Sequence, residues 1–141
     1  MSHREHILGA VAALFEAGDL DAAPRFFAAD YVVHLTDGEV RGGLALVRAA
    51  VGLVRRAVPD VAVEAEFLVE TADTVAWQRT LRGTQTGPCK GFPATGLPIV
   101  WREMVVTRFS GPHIAEEWVV SDLAERLLLG RKARTPRRGA P

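Results

Sequence analysis

Apolar residues follow a helical spacing in the first part of the chain. Ser2 followed by Glu5 is typical of a capped helix start, and Gly18 is typical of a helix end. The apolar stripe between these two signals consists of Ile7, Val11, Leu14 and Phe15. Intervals of three and four residues predict an amphipathic helix here.

Two more helices are predicted before residue 60. The segment from Asp19 to Ala29 predicts a second, short helix, and Tyr31 to Leu35 is a short run rich in β-forming residues. A third apolar stripe predicts a helix over about 44–57, which the Pro59-Asp60 pair ends.

From residue 61 the apolar period changes from about 3.6 to two, which indicates strands. The first predicted strand begins at residue 61. Three more cover 75–84, 99–109 and 113–120. Residues 83–96 are rich in Gly, Pro and Thr and predict a loop. Residues 123–129 predict a last, short helical turn.

Helices followed by antiparallel strands favour the α+β class. At this length the sheet can bury the helices only by curving around them, which leaves a pocket between its concave face and the helices. The convex face then carries exposed apolar residues, and such a face favours a homodimer. Its predicted members are Ala76, Met104, Val106 and Trp118.

Composition and charge limit the kinds of partner that this chain can have. The 141 residues are 48% hydrophobic and 24% charged, which predicts one domain over 1–129. We find no membrane span and no signal peptide, and expect a cytoplasmic protein. The net charge is zero, but 130–141 carries five basic and no acidic side chains. We expect this segment to be a disordered tail, with no nucleic-acid partner.

Several kinds of site are excluded by the motifs. The Gly83–Gly87 segment lacks the Lys of a phosphate-binding loop, and no nucleophile elbow is present. The four His residues lie outside metal-ligand spacing, and the single Cys89 excludes a cysteine zinc site. We therefore expect neither a metal nor a cofactor.

Two acidic residues of the late strands are candidate catalytic groups. If a three-residue turn joins the last two strands, Glu103 and Glu117 are diagonal neighbours on one face. Two carboxyls sharing a dry pocket would raise one pKa toward neutrality. A two-residue turn would break this pairing. Alternatively, the acids pair on the solvent face with arginines: Arg79, Arg82, Arg102 or Arg108.

Three more residues are candidates by position. Asp122 and His34 end strands at the expected pocket rim, which suits proton transfer. The alternatives are a helix N-cap for Asp122 and a half-buried structural role for His34. Trp101 would line the pocket if it shares the face of Glu103, and could there stack on a planar ligand.

At this point the chain resembles a known family, the SnoaL-like polyketide cyclases of the nuclear-transport-factor-2-like superfamily. Four ordered segments carry the resemblance: Asp30–His34, Val58–Val61, the glycine-rich 83–96 loop, and the closing hairpin from Arg108 to Asp122. The resemblance implies a cone-shaped α+β barrel over a hydrophobic cavity. It also implies a cofactor-free cyclase or hydroxylase of polycyclic aromatic polyketides.

The chain departs from the aldol cyclases at their catalytic positions. Val119 stands where those enzymes carry a catalytic Asp, and Val105 where they carry a cavity His. Gln85 replaces a loop His, whereas His34 and Asp122 remain. With Tyr31, the resemblance places Gln85, Val105 and Val119 against the substrate. The lost Asp favours hydroxylation slightly over ring closure, and a non-catalytic ligand-binding module is the other hypothesis.

These candidates give one further expectation. The two valines make the pocket drier, and a dry pocket disfavours an ionised carboxyl. We therefore expect at least one of Glu103, Glu117 and Asp122 to have an abnormally high pKa.

Overall fold

The computed structural model describes residues 1–134. In chain order, α1 (His3–Ala10), a short α2 (Ala23–Phe26) and α3 (Gly43–Ala57) are the first helices, and α4 (Leu123–Arg134) is the last. The strands β1 (Phe27–Leu35) and β2 (Gly38–Arg41) lie between α2 and α3. After α3 come β3 (Ala62–Glu70), β4 (Thr74–Thr84), β5 (Pro98–Ser110) and β6 (His113–Ser121).

All six strands form one sheet in the order β2-β1-β6-β5-β4-β3. Only the β1–β6 pair is parallel, and the other pairs are antiparallel. The sheet is curved and unclosed, and it wraps around the first helices. The α+β class and the cone-like shape predicted from the sequence are therefore confirmed.

The first helix begins and ends as predicted. The Ser2 hydroxyl accepts a hydrogen bond from the Glu5 backbone N–H at 3.1 Å, and Gly18 follows the helix with a φ of +71°. Its second half, Val11–Glu16, widens into a π-helix, in which the Ala17 N–H donates to the Ala12 carbonyl at 2.9 Å. Such segments recur at functional sites.

The second predicted helix is much shorter than expected. A 3₁₀ turn over Leu20–Ala22 leads into α2, and Phe27 already pairs with Ile114 of β6. The prediction of a helix to Ala29 was wrong because sheet pairing overrides local helix propensity here. The sequence interpretation also missed β2, which pairs with β1.

The hairpin between β5 and β6 corrects the predicted register. Its turn has two residues, since Ser110 pairs with His113. A β-bulge on β6 then shifts the register by one more residue, so that Thr107 faces Glu117 and Glu103 faces Ser121. The three-residue turn and the diagonal contact of the two acids were wrong. With the bulge, the register differs from the predicted one by two residues, an even number. Both acids therefore still point to the concave face, as predicted.

The interior has two hydrophobic clusters. One lies between the sheet, α1 with its π-helical extension, and α3. The other lies between the far ends of α3, β4 and β5, the 85–97 loop and α4. Phe15 and Val63 pack against both clusters. They stand at the boundary between two halves of the cone.

Helix α4 reaches Arg134, beyond the predicted end at residue 129. Leu123 and Leu127, one turn apart, are buried against the second cluster. The rest of the predicted disordered tail, 135–141, lies outside the described residues. Among the described residues, no helix combines the length and hydropathy that a membrane crossing requires.

The outer face of the sheet exposes apolar side chains. Met104 pairs with Val120 and Val106 with Trp118 at the middle of β5 and β6. Met104 and Trp118 are 46% and 39% exposed, as the strand alternation predicts for the face opposite Glu103 and Glu117.

Candidate active site

A buried carboxylate lies on the concave face of the sheet. Glu117 is only 5% exposed. Its Oε1 accepts a hydrogen bond from the Tyr31 hydroxyl at 2.7 Å, and its Oε2 accepts one from the Thr107 hydroxyl at 2.6 Å. The Thr107 oxygen in turn accepts from the Trp77 indole N–H at 2.9 Å. Thr107 therefore directs its own proton to Glu117, and both carboxylate oxygens serve as acceptors.

Four neighbouring strands bring this network together. Glu117 lies on β6 with Thr107 directly opposite on β5, while β1 supplies Tyr31 and β4 supplies Trp77. Burial, followed by the negative charge of Glu117 and the hydrogen bond to it, raises the pKa of Tyr31 far above its ordinary value. Tyr31 therefore remains a protonated donor throughout the physiological pH range.

An arginine lies beside this network. The Arg79 side chain on β4 bonds Glu103 with an N–O distance of 2.7 Å, and each side chain is 12% exposed. The guanidinium lies 5.1 Å from the ring centroid of Phe15 and 5.4 Å from that of Trp77, within cation–π range. Burial lowers the pKa of Arg79, but the charges of Glu103 and Glu117 outweigh it, and the pKa is raised.

Glu103 is one of the three acids among which we expected at least one raised pKa, and its own pKa is lowered. Burial raises the pKa of Glu103. The charge of Arg79 and hydrogen bonds from neighbouring side chains lower it by a larger amount, so the net shift is downward. Glu103 is therefore not an acid with a raised pKa. The predicted dry pocket contains a cation, and the ion pair stabilises the charged form.

Glu117 and Arg79 are the charged groups that line a small cavity in the cone. Its volume is about 20 Å³, close to the space of a single water molecule. The other lining residues come from α1 and its extension, from β1 and from the sheet: Ile7, Ala10, Val11, Leu14, Phe15, Phe27, Trp77 and Ile114.

A second cavity of about 10 Å³ lies in the other cluster, and Trp101 and Gln85 line it. Gln85 is engaged by its own loop, since its amide donates to the carbonyls of Gly87 and Pro93 and accepts from Thr95. The buried Trp101 side chain also acts on Glu103 and helps to lower the pKa of that carboxyl.

The two positions at which the aldol cyclases carry a cavity His and a catalytic Asp are direct neighbours in the sheet. Val105 pairs with Val119 across β5 and β6 on the concave face. Val105 is 1% exposed, and Val119 packs against the first cluster. These positions lie next to the Thr107–Glu117 pair, so apolar side chains flank Glu117 there.

Neither His34 nor Asp122 is among the residues that line the two cavities. His34 stacks on Trp118 of the outer face, with ring centroids 4.8 Å apart, and its Nε2 is 2.6 Å from a Glu116 oxygen. Asp122 accepts from the Arg102 backbone N–H at 2.8 Å and from the Arg126 side chain at 3.0 Å. The structure thus separates His34 and Asp122 from Glu117, and their catalytic roles stay predictions.

Asp122 offers a direct check of this separation. We expect Asp122→Asn to keep activity within about threefold of the native protein, well short of the roughly 100-fold loss typical for a general acid or base. Its stability should fall, because the carboxylate joins β5 to the start of α4. Steady-state turnover and thermal unfolding measure the two effects. A large loss of turnover in a stably folded variant would restore Asp122 to the catalytic set.

Other reactive groups are inert or dispersed. Burial raises the pKa of the Cys89 thiol, and the nearby Lys90 does not reverse that effect. No cluster of three or more His, Cys, Asp or Glu residues with metal-binding geometry occurs among residues 1–134.

Sequence reasoning missed the residues that set the environment of Glu117. Arg79 was considered only as a partner on the solvent face, and Thr107 and Trp77 were not considered as site residues. Strand parity could have found Arg79, which alternates with the outward Gln78 and Thr80 on β4. The pairing of Thr107 with Glu117 depends on the bulge, for which the sequence carries no clear signal.

Comparisons with known proteins agree with this architecture. The family described as SnoaL-like polyketide cyclase matches residues 5–128. No curated protein matches the chain. The fold is similar to that of AclR, a proposed hydroxylase from Streptomyces galilaeus, at 27% identity and a TM-score of 0.77, covering 95% of this chain and 86% of that one.

Two proposed polyketide cyclases are also similar in structure. IdmH from Streptomyces antibioticus has 26% identity and a TM-score of 0.75, with 92% of this chain and 97% of that one covered. A protein from Acidithiobacillus ferrooxidans has 23% identity and a TM-score of 0.81, with 94% and 99% covered.

Proposed function

Because this chain belongs to the SnoaL-like polyketide cyclase family, we propose that it is a cofactor-free enzyme acting on a polycyclic aromatic polyketide. In this proposal, Glu117 removes a proton from a carbon that a neighbouring carbonyl activates. The observation that carries the assignment is a buried carboxylate that lines a cavity and is held by two neutral donors.

Of the two acids on the concave face, we assign the role of base to Glu117. Glu103 forms an ion pair with Arg79, and its pKa lies below its ordinary value, so it binds a proton weakly. Glu117 receives its two hydrogen bonds from uncharged hydroxyls, Tyr31 and Thr107. In our proposal these two hydroxyls fix the orientation of the carboxylate toward the substrate.

Arg79 supplies the complementary positive charge. Removal of the proton leaves negative charge on the substrate carbonyl oxygen, and a fixed cation in a dry site stabilises that charge strongly. Arg79 lines the same cavity as Glu117, and two aromatic rings hold its guanidinium. In our proposal Arg79 binds the enolate oxygen, while Tyr31 keeps Glu117 oriented.

The fate of the carbanion decides between two reactions. Attack on an internal carbonyl closes a ring. Addition to dioxygen, followed by protonation, gives a hydroperoxide, which two molecules of an external thiol reduce to the alcohol and water while they become a disulfide. We favour hydroxylation slightly, because Val105 and Val119 form a direct pair where the resemblance places the His and Asp of the aldol cyclases.

The test uses purified protein and anthracycline-type precursors. We expect exchange of the activated C–H in deuterium oxide, and a cyclised or an oxygenated product identified by mass spectrometry. Absence of both exchange and product would contradict the proposal that the protein is an enzyme. Tight binding without either reaction would instead support the ligand-binding module.

Ligand binding requires the cone to open. Cavities that hold drug-sized molecules typically measure at least about 300 Å³, whereas the two cavities here measure about 20 and 10 Å³. A ring system can therefore enter only if helices move away from the sheet. The π-helical Val11–Glu16 segment and α4 are the elements that cover the two cavities.

We also propose that the outer sheet face forms a homodimer. A dimer would cover the exposed apolar centre around Met104 and Trp118, and buried interface centres are rich in such residues. We expect native protein to be dimeric and Trp118→Glu to be monomeric in light scattering at micromolar concentration. Leu128→Glu, an equally exposed site on α4, is the control and should stay dimeric. A monomeric native protein would contradict the proposal.

Cellular location and remaining partners stay predictions from the sequence. The proposal requires the small-molecule substrate, a second copy of this chain and, for hydroxylation, dioxygen and an external thiol. It requires neither a nucleic acid nor a cofactor, and it is compatible with the predicted cytoplasmic location.

A further inference from the structure

One side of the Arg79 guanidinium is fixed by a single oxygen atom. Its Nε donates to Oε1 of Glu103 at 2.7 Å, and its Nη2 lies 2.7 Å from the same oxygen. A guanidinium is a rigid plane with five N–H donors, and Nε and Nη2 lie along one side of it. The other side, which carries Nη1, therefore faces away from Glu103.

The sheet register places this ion pair in one row of the concave face. Arg79 on β4 lies directly opposite Glu103 on β5, which lies directly opposite Ser121 on β6. The Ser121 hydroxyl oxygen accepts from the Leu123 backbone N–H at 3.2 Å, which leaves the hydroxyl proton for a second partner. The Ser121 and Trp101 side chains donate to Glu103 and help to lower its pKa. Glu103 is thus held by donors on β4, β5 and β6.

Arg79 extends along the sheet to reach the first cavity. Its row and the row of Glu117 are four residues apart on β5 and β6, which is about 13 Å along a strand. The row between them consists of Trp77, Val105 and Val119. Arg79 nevertheless lines the same cavity as Glu117, and its guanidinium lies 5.4 Å from the Trp77 ring centroid. The side chain therefore leaves its own row and runs toward Glu117.

Aromatic contacts alone do not set the direction of this guanidinium. Phe15 and Trp77 lie within cation–π range of Arg79, at 5.1 and 5.4 Å. The cation–π attraction acts through the face of a ring, and it does not select which N–H donors point into the cavity. The hydrogen bonds to Glu103 are directional. Glu103 is therefore the contact that decides this orientation.

We propose that Glu103 is a positioning residue for Arg79: it holds the Nε and Nη2 side of the guanidinium and thereby turns Nη1 toward the oxygen on which negative charge develops. This rests on the proposed function, in which Arg79 binds the enolate oxygen and Glu117 removes the proton. Glu103 then touches no substrate atom and transfers no proton. Donors that are oriented in advance stabilise a developing charge without reorganising during the reaction.

An oxyanion probe tests the orientation without requiring turnover. 4-Nitrophenol is planar, its phenolate shares negative charge between oxygen and ring as an enolate does, and only the phenolate is yellow. We would bind it to Glu117→Gln, because the proton transfer that forms an enolate also neutralises Glu117. If Arg79 meets the phenolate oxygen, this protein prefers phenolate to phenol, and the pKa of the bound probe falls below that of the free probe. Absorbance against pH measures this preference.

The variant Glu103→Asp separates orientation from charge. It keeps the negative charge and both acceptor oxygens, but it withdraws them from Arg79 by one methylene. Added to Glu117→Gln, it should lower the preference for phenolate about tenfold, the effect of one charge-assisted hydrogen bond. If only the charge of Glu103 matters, the preference stays the same. Thermal unfolding confirms that the variants are folded.

Turnover of the precursor gives a second measurement of Glu103→Asp, with Glu117 intact. We expect kcat to fall about ten- to 100-fold, because displacing a catalytic group by about 1 Å has an effect of this size. KM should stay within about threefold, since the bond to the enolate oxygen develops only in the transition state. Glu64→Asp is the matched control. Glu64 pairs with Arg82 at 3.4 Å on the surface, and neither residue lines the cavity, so the phenolate preference and kcat should not change.

The outcomes separate the positioning role from the proposed reaction. A phenolate preference that falls with Glu103→Asp and not with Glu64→Asp supports the role, whether or not the precursor exchanges its proton. An equal preference with and without Glu103→Asp, or an unchanged kcat, would overturn the role while the reaction stands. A Glu117→Gln protein with no preference for phenolate would also overturn it, because Arg79 would then not face the oxyanion.

Discussion

Replacing Glu117 by Gln should lower turnover by about 100-fold or more, the usual loss when a general base is removed. The amide retains the size of the side chain, but it cannot take a proton from the substrate. One of its two positions also becomes an NH₂ donor facing the hydroxyl of Tyr31 or Thr107. We would measure single-turnover rates and deuterium exchange on the same precursor.

The adjacent Glu116 provides a matched control for this variant. Glu116 lies on the outer face, where its oxygens bond His34 and Arg108, so Glu116→Gln changes the same chemistry one residue away. It should keep near-native turnover. Near-native turnover in a folded Glu117→Gln variant would remove Glu117 from the mechanism, even though the fold is correct.

The general architecture was accessible from the sequence because its signals are local and repetitive. The Ser2 cap, the apolar stripe of α1 and the strand alternation after residue 61 each depend on near neighbours, and the structure confirms them. The second predicted helix failed where a non-local interaction decides. Phe27 joins the sheet through Ile114, almost ninety residues away.

The site was only half accessible for the same reason. The sequence indicated that Glu103 and Glu117 share the concave face, but it placed them in contact with each other. The bulge on β6 moves Glu117 opposite Thr107, and Arg79 of β4 occupies the position beside Glu103. The sequence carries no signal for the bulge. It therefore could not show whether the two acids contact each other or whether one forms an ion pair and the other binds neutral hydroxyls.

Replacing Arg79 by Leu should destabilise the fold by about 3–5 kcal/mol at pH 7, because the change leaves a buried carboxylate without its partner. Glu103 loses its ion pair, and Glu117 loses the positive charge of Arg79 that acts on it. Urea unfolding measures the free energy. Arg82→Leu, three residues along β4, is the control. It removes an exposed pair with Glu64 and should cost less than about 1 kcal/mol.

The loss of unfolding free energy caused by Arg79→Leu should depend on pH in a defined direction. In the native protein the pKa of Glu103 is below its ordinary 4.5, so its contribution to stability is present above that pH and disappears as the pH falls through the lowered pKa. In the variant, burial is no longer opposed by Arg79 and should raise the Glu103 pKa. The variant should then lose stability as the pH rises through that higher value.

The difference in unfolding free energy between the native protein and Arg79→Leu should therefore narrow as the pH falls from 7 toward 5. The double variant Arg79→Leu/Glu103→Leu should recover most of the lost stability, since neither half of the pair remains charged in the interior. A pH-independent cost, or a double variant no more stable than Arg79→Leu, would show that Arg79 stabilises the cone by packing on Phe15 and Trp77 rather than by its charge.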